Sequence, residues 1–520
     1  MNESHKRLAE GMLFTDHYQF TMAQLYFRMG LHERKVQFDY FFREYPNYGT
    51  HQAGFCVFAG MEWLIEWMQT SRCTDKELAY LEKEKGRGGK ETFDKDFLQW
   101  LREGGNFDRI SLRSIAEGRV VHPHEPLAIV EGPLAAAQLL ETSLLNHLNY
   151  QTLVATKAAR IREVGRGQMF LEFGMRRGHE RGVLAGARAA LIGGADYSSN
   201  VGISHALGIS PQGTHAHSMV QVFLTLGMSE LDAFQAYADV YPDDCLLLVD
   251  TINTLESGIP NAIRIFERLK EKGHRPVGIR LDSGDLAYLS IQAAKMLNAA
   301  GFPDVMIALS NDLDELTILQ IIAQITEEGP QHGVDPDELI HRLAYGVGTR
   351  LITSAGDSAL GGVYKLVSVW DKGQWTPAIK ISESQTKIPT PGNKQVWRIY
   401  DRREKAVADL VGLREENLEP GSDLVLHHVM DVGASRTIPA SRISRVEPLL
   451  RHVFVEGVNV LGNSPLEAMR DMRRKDIDHL DAGVKRLINP HIYHISISQK
   501  LFELKQSLIQ SVKAKGAKLS

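Results

Sequence analysis

From Gln168 to Thr349 the chain repeats one rhythm, a short apolar run, a polar turn and then a helix-length stretch. The apolar runs end near Gly174, Asp196, His217, Asp250, Asp282, Asn311 and Gly348. Such alternation predicts parallel strands joined by crossover helices. PVGIRLD, from Pro276 to Asp282, reads as one strand. Leu286, Leu289, Ala293 and Met296 then recur at helical spacing. LLLVD, ending at Asp250, is followed by a stretch with Ala262, Ile265, Phe266 and Leu269 on one face. About seven such units make a barrel, complete or irregular, and an open doubly wound sheet reads similarly.

The flanks differ. Residues 1 to 110 read as mainly helical, with an aromatic stretch FDYFFREYPNY from Phe38 to Tyr48 that suits core or dimer surface. GRVVHPHEPLAIVEG, from Gly118 to Gly132, reads as strands broken at Pro123 and Pro126. A long helical stretch follows, from about Leu134 to Arg166. Beyond about Thr390 the rhythm stops, and KQVWRIYD and SDLVLHHVMD read as strands ahead of a basic-tipped helix from His494 to Lys515. Lys505, Lys513, Lys515 and Lys518 read most simply as a solvated terminus.

With 520 residues, 43% of them hydrophobic and 24% charged, the chain can bury a large core. A formal net charge of -5 gives no overall positive field for nucleic acid or anionic lipid. Any polyanion must meet local arginines, lysines and backbone N–H groups. Cys56, Cys73 and Cys245 are too few for a disulfide framework, which suits a reducing, cytoplasmic setting. The N-terminus lacks a secretory apolar region, and no segment approaches the roughly 20 apolar residues of a membrane span.

In parallel architectures ligands bind outside the carboxyl ends of the strands. Those positions hold Arg176, Asp196, His217, Asp250, Arg280, Asp282, Asn311, Asp312, Gly348 and Thr349. Arginines fork onto carboxylate or phosphate, glycine turns at helix starts offer N–H groups to phosphate, and aspartates hold sugar hydroxyls or hydrated Mg²⁺. Together they describe a site for a phosphorylated sugar. A histidine there adds a nucleophile or acid–base group, which Asp250 can orient. Two other chemistries use the same residues. His215 and His217 have the HxH spacing of a binuclear-metal amidohydrolase barrel, with Asp282 as a late ligand, although later strand ends lack further histidines. LLLVDTINT looks like the loop of purine-type phosphoribosyltransferases, yet it has Thr251 where a second acid is usual.

The segments TDHYQFTMAQ, EFGMRRGHERG, GGADYSSNVG, GTHAHSMV, LLLVDTINTLESGIPNAI, IRLDSGDLAYLS, SNDLDE, YGVGTRLITS and ALGGVYKLV together resemble the nicotinate phosphoribosyltransferase family, in order and at similar separations from about Leu13 to Gly392. The resemblance implies an N-terminal α/β domain (1–150), an irregular α/β barrel of about seven parallel strands (151–385) and a C-terminal α+β extension (386–520). It implies formation of nicotinate mononucleotide and pyrophosphate from nicotinate and 5-phosphoribosyl 1-pyrophosphate, with coupled ATP hydrolysis and Mg²⁺ held mainly by pyrophosphate. It also implies a homodimer with active sites at the interface, and no nucleic-acid or membrane partner. His217 then falls where ATP phosphorylates a histidine, Asp250 where a carboxylate orients it, and Asp282 near the ribose and its pyrophosphate. Phe173 and Arg176 fall at the nicotinate pocket. Asp16 and Tyr18 fall where the partner subunit contributes, and Arg280, Gly348 and Thr349 at the 5-phosphate. Asp196, Asn311 and Asp312 are further members of the pocket, and His215 is a neighbouring core or loop residue. A nicotinamide phosphoribosyltransferase, with Asp196 accepting from the amide, and a non-catalytic binding module are the alternatives.

Overall fold

The computed structural model describes residues 7–380, 388–419, 421–462 and 464–519. It divides into two compact units, one formed by residues up to Leu153 together with those from Ala359 onward, the other by Val154–Ser358. The division falls inside the helix Glu141–Val164.

The Val154–Ser358 unit is built on a six-stranded sheet. Its order is Tyr197–Ser198, Met169–Glu172, Leu343–Val347, Met306–Leu309, Gly278–Leu281 and Leu246–Leu248, and every pairing is parallel. Parallel neighbours require crossovers, and helices such as Glu180–Gly193, Ile259–Glu271, Leu286–Ala299 and Glu315–Glu328 supply them. In Ile259–Glu271 the buried residues are Ile259, Ala262, Ile265, Phe266 and Leu269, the face expected from the spacing. In Leu286–Ala299 the buried face includes Leu286 and Ala293 but turns through Ser290, Ile291, Ala294 and Leu297, leaving Leu289 and Met296 half-buried. The expected strand ending near His217 is absent. Residues 209–216 form no strand, and His217 opens the helix His217–Thr225. Pro211 has no N–H to give a ladder, and Gly208 and Gly213 weaken a strand on either side of it.

The other unit carries a seven-stranded antiparallel sheet. Lys35–Phe42 lies between Gly362–Asp371 and the central strand Ala128–Pro133, and Ser111–Ser114 links the latter to Arg451–Val455. The N-terminal region is therefore less helical than its sequence suggests, because the aromatic stretch buries Phe38, Tyr40 and Phe42 on one face of a strand. A six-stranded sheet is contributed by residues after Lys394, with Lys394–Asp401 and Ala406–Leu413 forming its longest pair. The C-terminal helix runs from Gln499 to Leu519. Lys505 is not solvated. It is buried, its Nζ donates to Val429 O at 3.2 Å, and burial pushes its ammonium down to about 8. Lys513 is exposed, and the side chains of Lys515 and Lys518 lie outside the described residues.

Candidate active site

The carboxyl ends of two adjacent strands converge on His217. Its Nδ1 lies 3.1 Å from Thr251 Oγ1. Its Nε2 lies 3.8 Å from Asp250 Oδ1 and 3.9 Å from Asp282 Oδ2. Thr251 and Asp250 follow the strand Leu246–Leu248, and Asp282 follows Gly278–Leu281, so parallel pairing places them side by side. The helix packed behind Asp250 is admitted only because residue 258 is glycine, since a Cβ there would lie 1.8 Å from Val249 O.

The two carboxylates are held differently. Asp250 Oδ2 accepts from the Asp282 N–H at 3.1 Å and from Ser283 Oγ at 2.5 Å. Its Oδ1 is buried, faces His217 and accepts no hydrogen bond among the described residues. Such an orphaned oxygen costs free energy unless something fills its place, so it marks a position for a ligand. Asp282 Oδ1 accepts from Ser310 Oγ and, at 2.9 Å, from Arg280 Nη2. Burial alone would raise the Asp282 carboxyl, but the Ser310 hydroxyl and the Arg280 guanidinium hold it below its usual value. It is ionised at neutral pH. Among the described residues no cluster of three or more His, Cys, Asp or Glu side chains is placed to hold a metal ion. Asp250 Oδ1 and the ionised Asp282 are the carboxylates here that could stand beside a cation.

Arg280 ties the cluster to a cavity. Its Nε donates to Ser310 Oγ at 2.8 Å and its Nη1 to Thr214 Oγ1 at 3.0 Å, and its guanidinium carbon lies 5.6 Å from the centre of the Phe173 ring. These residues line a cavity of about 150 Å³ whose floor includes Leu171, Leu246 and Ala308 from the sheet. An apolar hollow with a guanidinium and hydroxyls at one end suits a small flat anion. Phe173 reaches its place because residue 346 is glycine. A Cβ there would lie 2.5 Å from the Phe173 ring.

The remaining expected residues are placed as follows. Gly348 caps the short helix Thr349–Ile352 at the end of the strand Leu343–Val347. Asn311 and Asp312 are exposed on the turn after Met306–Leu309, both in the left-handed region, with φ of 92° and 48°. Side chains there are strained, and such strain concentrates at ligand-binding turns. Arg176 is exposed on the turn Met175–Arg177. The Asp196 carboxylate does not join the cluster. Its Oδ2 accepts from Arg162 Nη1 at 2.6 Å and from the Phe170 N–H at 2.8 Å. In the other unit, Asp16 sits at the start of the helix His17–Arg28 and accepts from Thr142 Oγ1 at 2.8 Å, and Tyr18 is 46% exposed. His215 is buried, and its Nε2 accepts from the Leu248 N–H at 3.1 Å. That bond takes the lone pair an HxH metal pair would need.

Sequence reasoning missed Thr251, Thr214 and Ser310. Thr251 was visible as the hydroxyl standing where a second acid is usual. Thr214 and Ser310 carried no signal of their own, since their roles come from strand register around Arg280.

The fold and site define an α/β enzyme with its chemistry at the carboxyl ends of parallel strands. Three family models match in succession, the nicotinate phosphoribosyltransferase N-terminal domain over residues 13–149, the nicotinate phosphoribosyltransferase family over 169–396, and its C-terminal domain over 393–505. The nicotinate phosphoribosyltransferase of Bacillus subtilis is 40% identical over 507 residues, covering 97% of this chain and 96% of that one. The human protein of the same name is 31% identical, covering 96% and 97% respectively. The crystal structure of human nicotinic acid phosphoribosyltransferase superposes with a TM-score of 0.77 at 29% identity, over 95% of this chain and 99% of that one. This chain belongs to the nicotinate phosphoribosyltransferase family.

Proposed function

We propose that the protein joins nicotinate to 5-phosphoribosyl 1-pyrophosphate, giving nicotinate mononucleotide and pyrophosphate, and couples this to ATP hydrolysis through His217. The observation that carries the reading is the convergence of His217, Asp250, Asp282 and Arg280 at one end of the parallel sheet. The six paired strands, with residues 212–215 between their outer edges, are read as an irregular barrel whose mouth is this site. Phe173 and Arg280, which line the cavity, offer a ring face and a guanidinium to nicotinate, in place of the 5-phosphate role expected of Arg280; Arg176 does not line that cavity. Gly348 and Thr349, at a helix start, offer N–H groups to the 5-phosphate, and Asn311 and Asp312 border the ribose. Breaking the bond from C1 to pyrophosphate leaves an oxocarbenium-like sugar, so the site gains most by neutralising the departing pyrophosphate while holding the pyridine nitrogen in line. Mg²⁺, bound through pyrophosphate beside Asp282 and Asp250 Oδ1, would supply charge neutralisation there.

Attack of His217 Nε2 on the γ-phosphorus of ATP forms an N–P bond and releases ADP. It requires the ring proton on Nδ1, where Thr251 Oγ1 can accept it. Water later takes the phosphoryl group, restoring the imidazole and releasing phosphate. Nicotinate rather than nicotinamide is the substrate, because Asp196, the acceptor an amide would use, is bonded to Arg162 and the Phe170 N–H. The helix His217–Thr225 buries only Val220, while Val222, Leu224, Leu226 and Met228 around it are exposed. An apolar face of that kind supports a homodimer in which Asp16 and Tyr18 of one protomer complete the site of its partner. The test is to incubate protein, labelled 5-phosphoribosyl 1-pyrophosphate and Mg²⁺ with nicotinate or nicotinamide, with and without ATP. Labelled nicotinate mononucleotide, made faster with ATP, is expected. Nucleotide from nicotinamide alone, or none from either pyridine, would refute the reading.

A further inference from the structure

The parallel sheet ends in two short strands, Tyr197–Ser198 and Leu246–Leu248, that share no ladder with each other. The stretch Gln212–His215 meets both. On one side the Gln212 N–H donates to Ser198 O at 3.1 Å. On the other, the Leu248 N–H donates at 3.1 Å to a side chain, His215 Nε2, which stands where the carbonyl of a neighbouring strand would be. The His215 ring is buried and packed by Tyr237, with centroids 5.0 Å apart, and by Phe234 at 6.2 Å. Nε2 can accept only in the neutral ring protonated on Nδ1, and Nδ1 lies 3.4 Å from Ala216 O. Two residues further on, His217 meets Thr251, three residues beyond Leu248. The two histidines thus make successive rungs between one segment and the strand that leads into Asp250.

We propose that His215 is a positioning residue for the reaction, clamping the segment that carries His217 to the strand that carries Asp250. The proposal rests on the reading of His217 given above. His217 begins a helix anchored by a single buried residue, Val220, so little else fixes its ring against the two carboxylates. Loss of the clamp slows turnover and leaves substrate binding largely intact, because Arg280, beside Phe173, is also held by Ser310 and Asp282, which lie outside that segment.

The experiment measures kcat and KM for nicotinate mononucleotide formation with ATP in full-length His215→Leu, His215→Gln, His217→Ala and the double variant His215→Leu/His217→Ala, with thermal unfolding followed in parallel. His215→Leu is expected to lower kcat about tenfold or more with KM for nicotinate changed less than about threefold. His215→Gln, whose amide oxygen can accept from Leu248, recovers most of that rate and keeps the test alive if the leucine variant unfolds. Adding His215→Leu to His217→Ala costs nothing further, since the lost clamp acts through an imidazole already gone. An equal loss in both backgrounds, a proportionate rise in KM, or a wild-type rate in His215→Leu would overturn the proposal. Full activity in His217→Ala would instead sink the reading of His217, and the clamp with it.

Discussion

Two regions of this protein gather charge, and they do so in opposite ways. In the antiparallel unit, Arg398 is buried and saturated, with Nε and Nη2 on Asp409 at 2.9 and 2.7 Å, Nη1 on Asp476 at 2.9 Å, and Nη2 also on Val120 O at 2.8 Å. Arg119 shares Asp476 and pairs with Glu447, and the Tyr493 and Tyr400 hydroxyls donate to Asp409 and Glu447. In the parallel unit, His217 is half-exposed, its carboxylates stand nearly 4 Å away, and Asp250 keeps one oxygen unbonded. A closed network holds segments far apart in sequence in register. An open one has affinity to spare for something that is not protein.

The contrast can be broken at either end. The largest effect is expected from Arg398→Ala, which leaves the buried Asp409 without its guanidinium and removes one of the two that Asp476 shares, and costs about 3–5 kcal/mol of stability, read as a fall in the denaturant midpoint. A variant as stable as the parent would show that the network is not structural. Next comes His217→Ala, expected to lower ATP-stimulated kcat about a hundredfold or more with the denaturant midpoint nearly unchanged. A matching loss of stability would erase the distinction between the two regions. Thr251→Val should lower kcat by about three- to tenfold through loss of the Nδ1 partner, at a stability cost of about 1 kcal/mol or less.

The smallest effect concerns acid. Burial alone would raise the Glu447 carboxyl, but Arg119 first and then the Tyr400 hydroxyl hold it down to about 2. A carboxyl depressed on folding contributes stability that is present above its unfolded value, about 4.3, and is lost as pH falls toward 2. Glu447→Gln should therefore flatten the dependence of unfolding free energy on pH between about 4 and 2. An unchanged slope would show that other carboxylates govern the acid limb.

The parallel unit was the more legible in sequence because its signals are local. Ala262, Ile265, Phe266 and Leu269 repeat within one helix, and the runs ending at Asp250 and Asp282 end on residues of the cluster around His217. The antiparallel unit was less so. Lys35–Phe42 takes its register from Gly362–Asp371, and nothing near Phe38 announces so distant a partner. The continuous aromatic run also hides the two-residue period that marks a strand. Lys505 misled for a related reason, since a lysine near a basic terminus gives no sign that its helix packs it against Val429. At the site, His217, Asp250, Asp282 and Arg280 were named by motif and position. His215 was read as a neighbouring core or loop residue, because standing in for a backbone carbonyl is a role that no residue type advertises.

The most direct measurement is phosphoryl transfer itself. The full-length protein is incubated with γ-labelled ATP and Mg²⁺, quenched at alkaline pH and mapped by peptide. The structure predicts acid-labile label on the peptide containing His217 and none in His217→Ala. Label on another residue, or label that survives in His217→Ala, would contradict the assignment of His217 as the group that takes the phosphoryl.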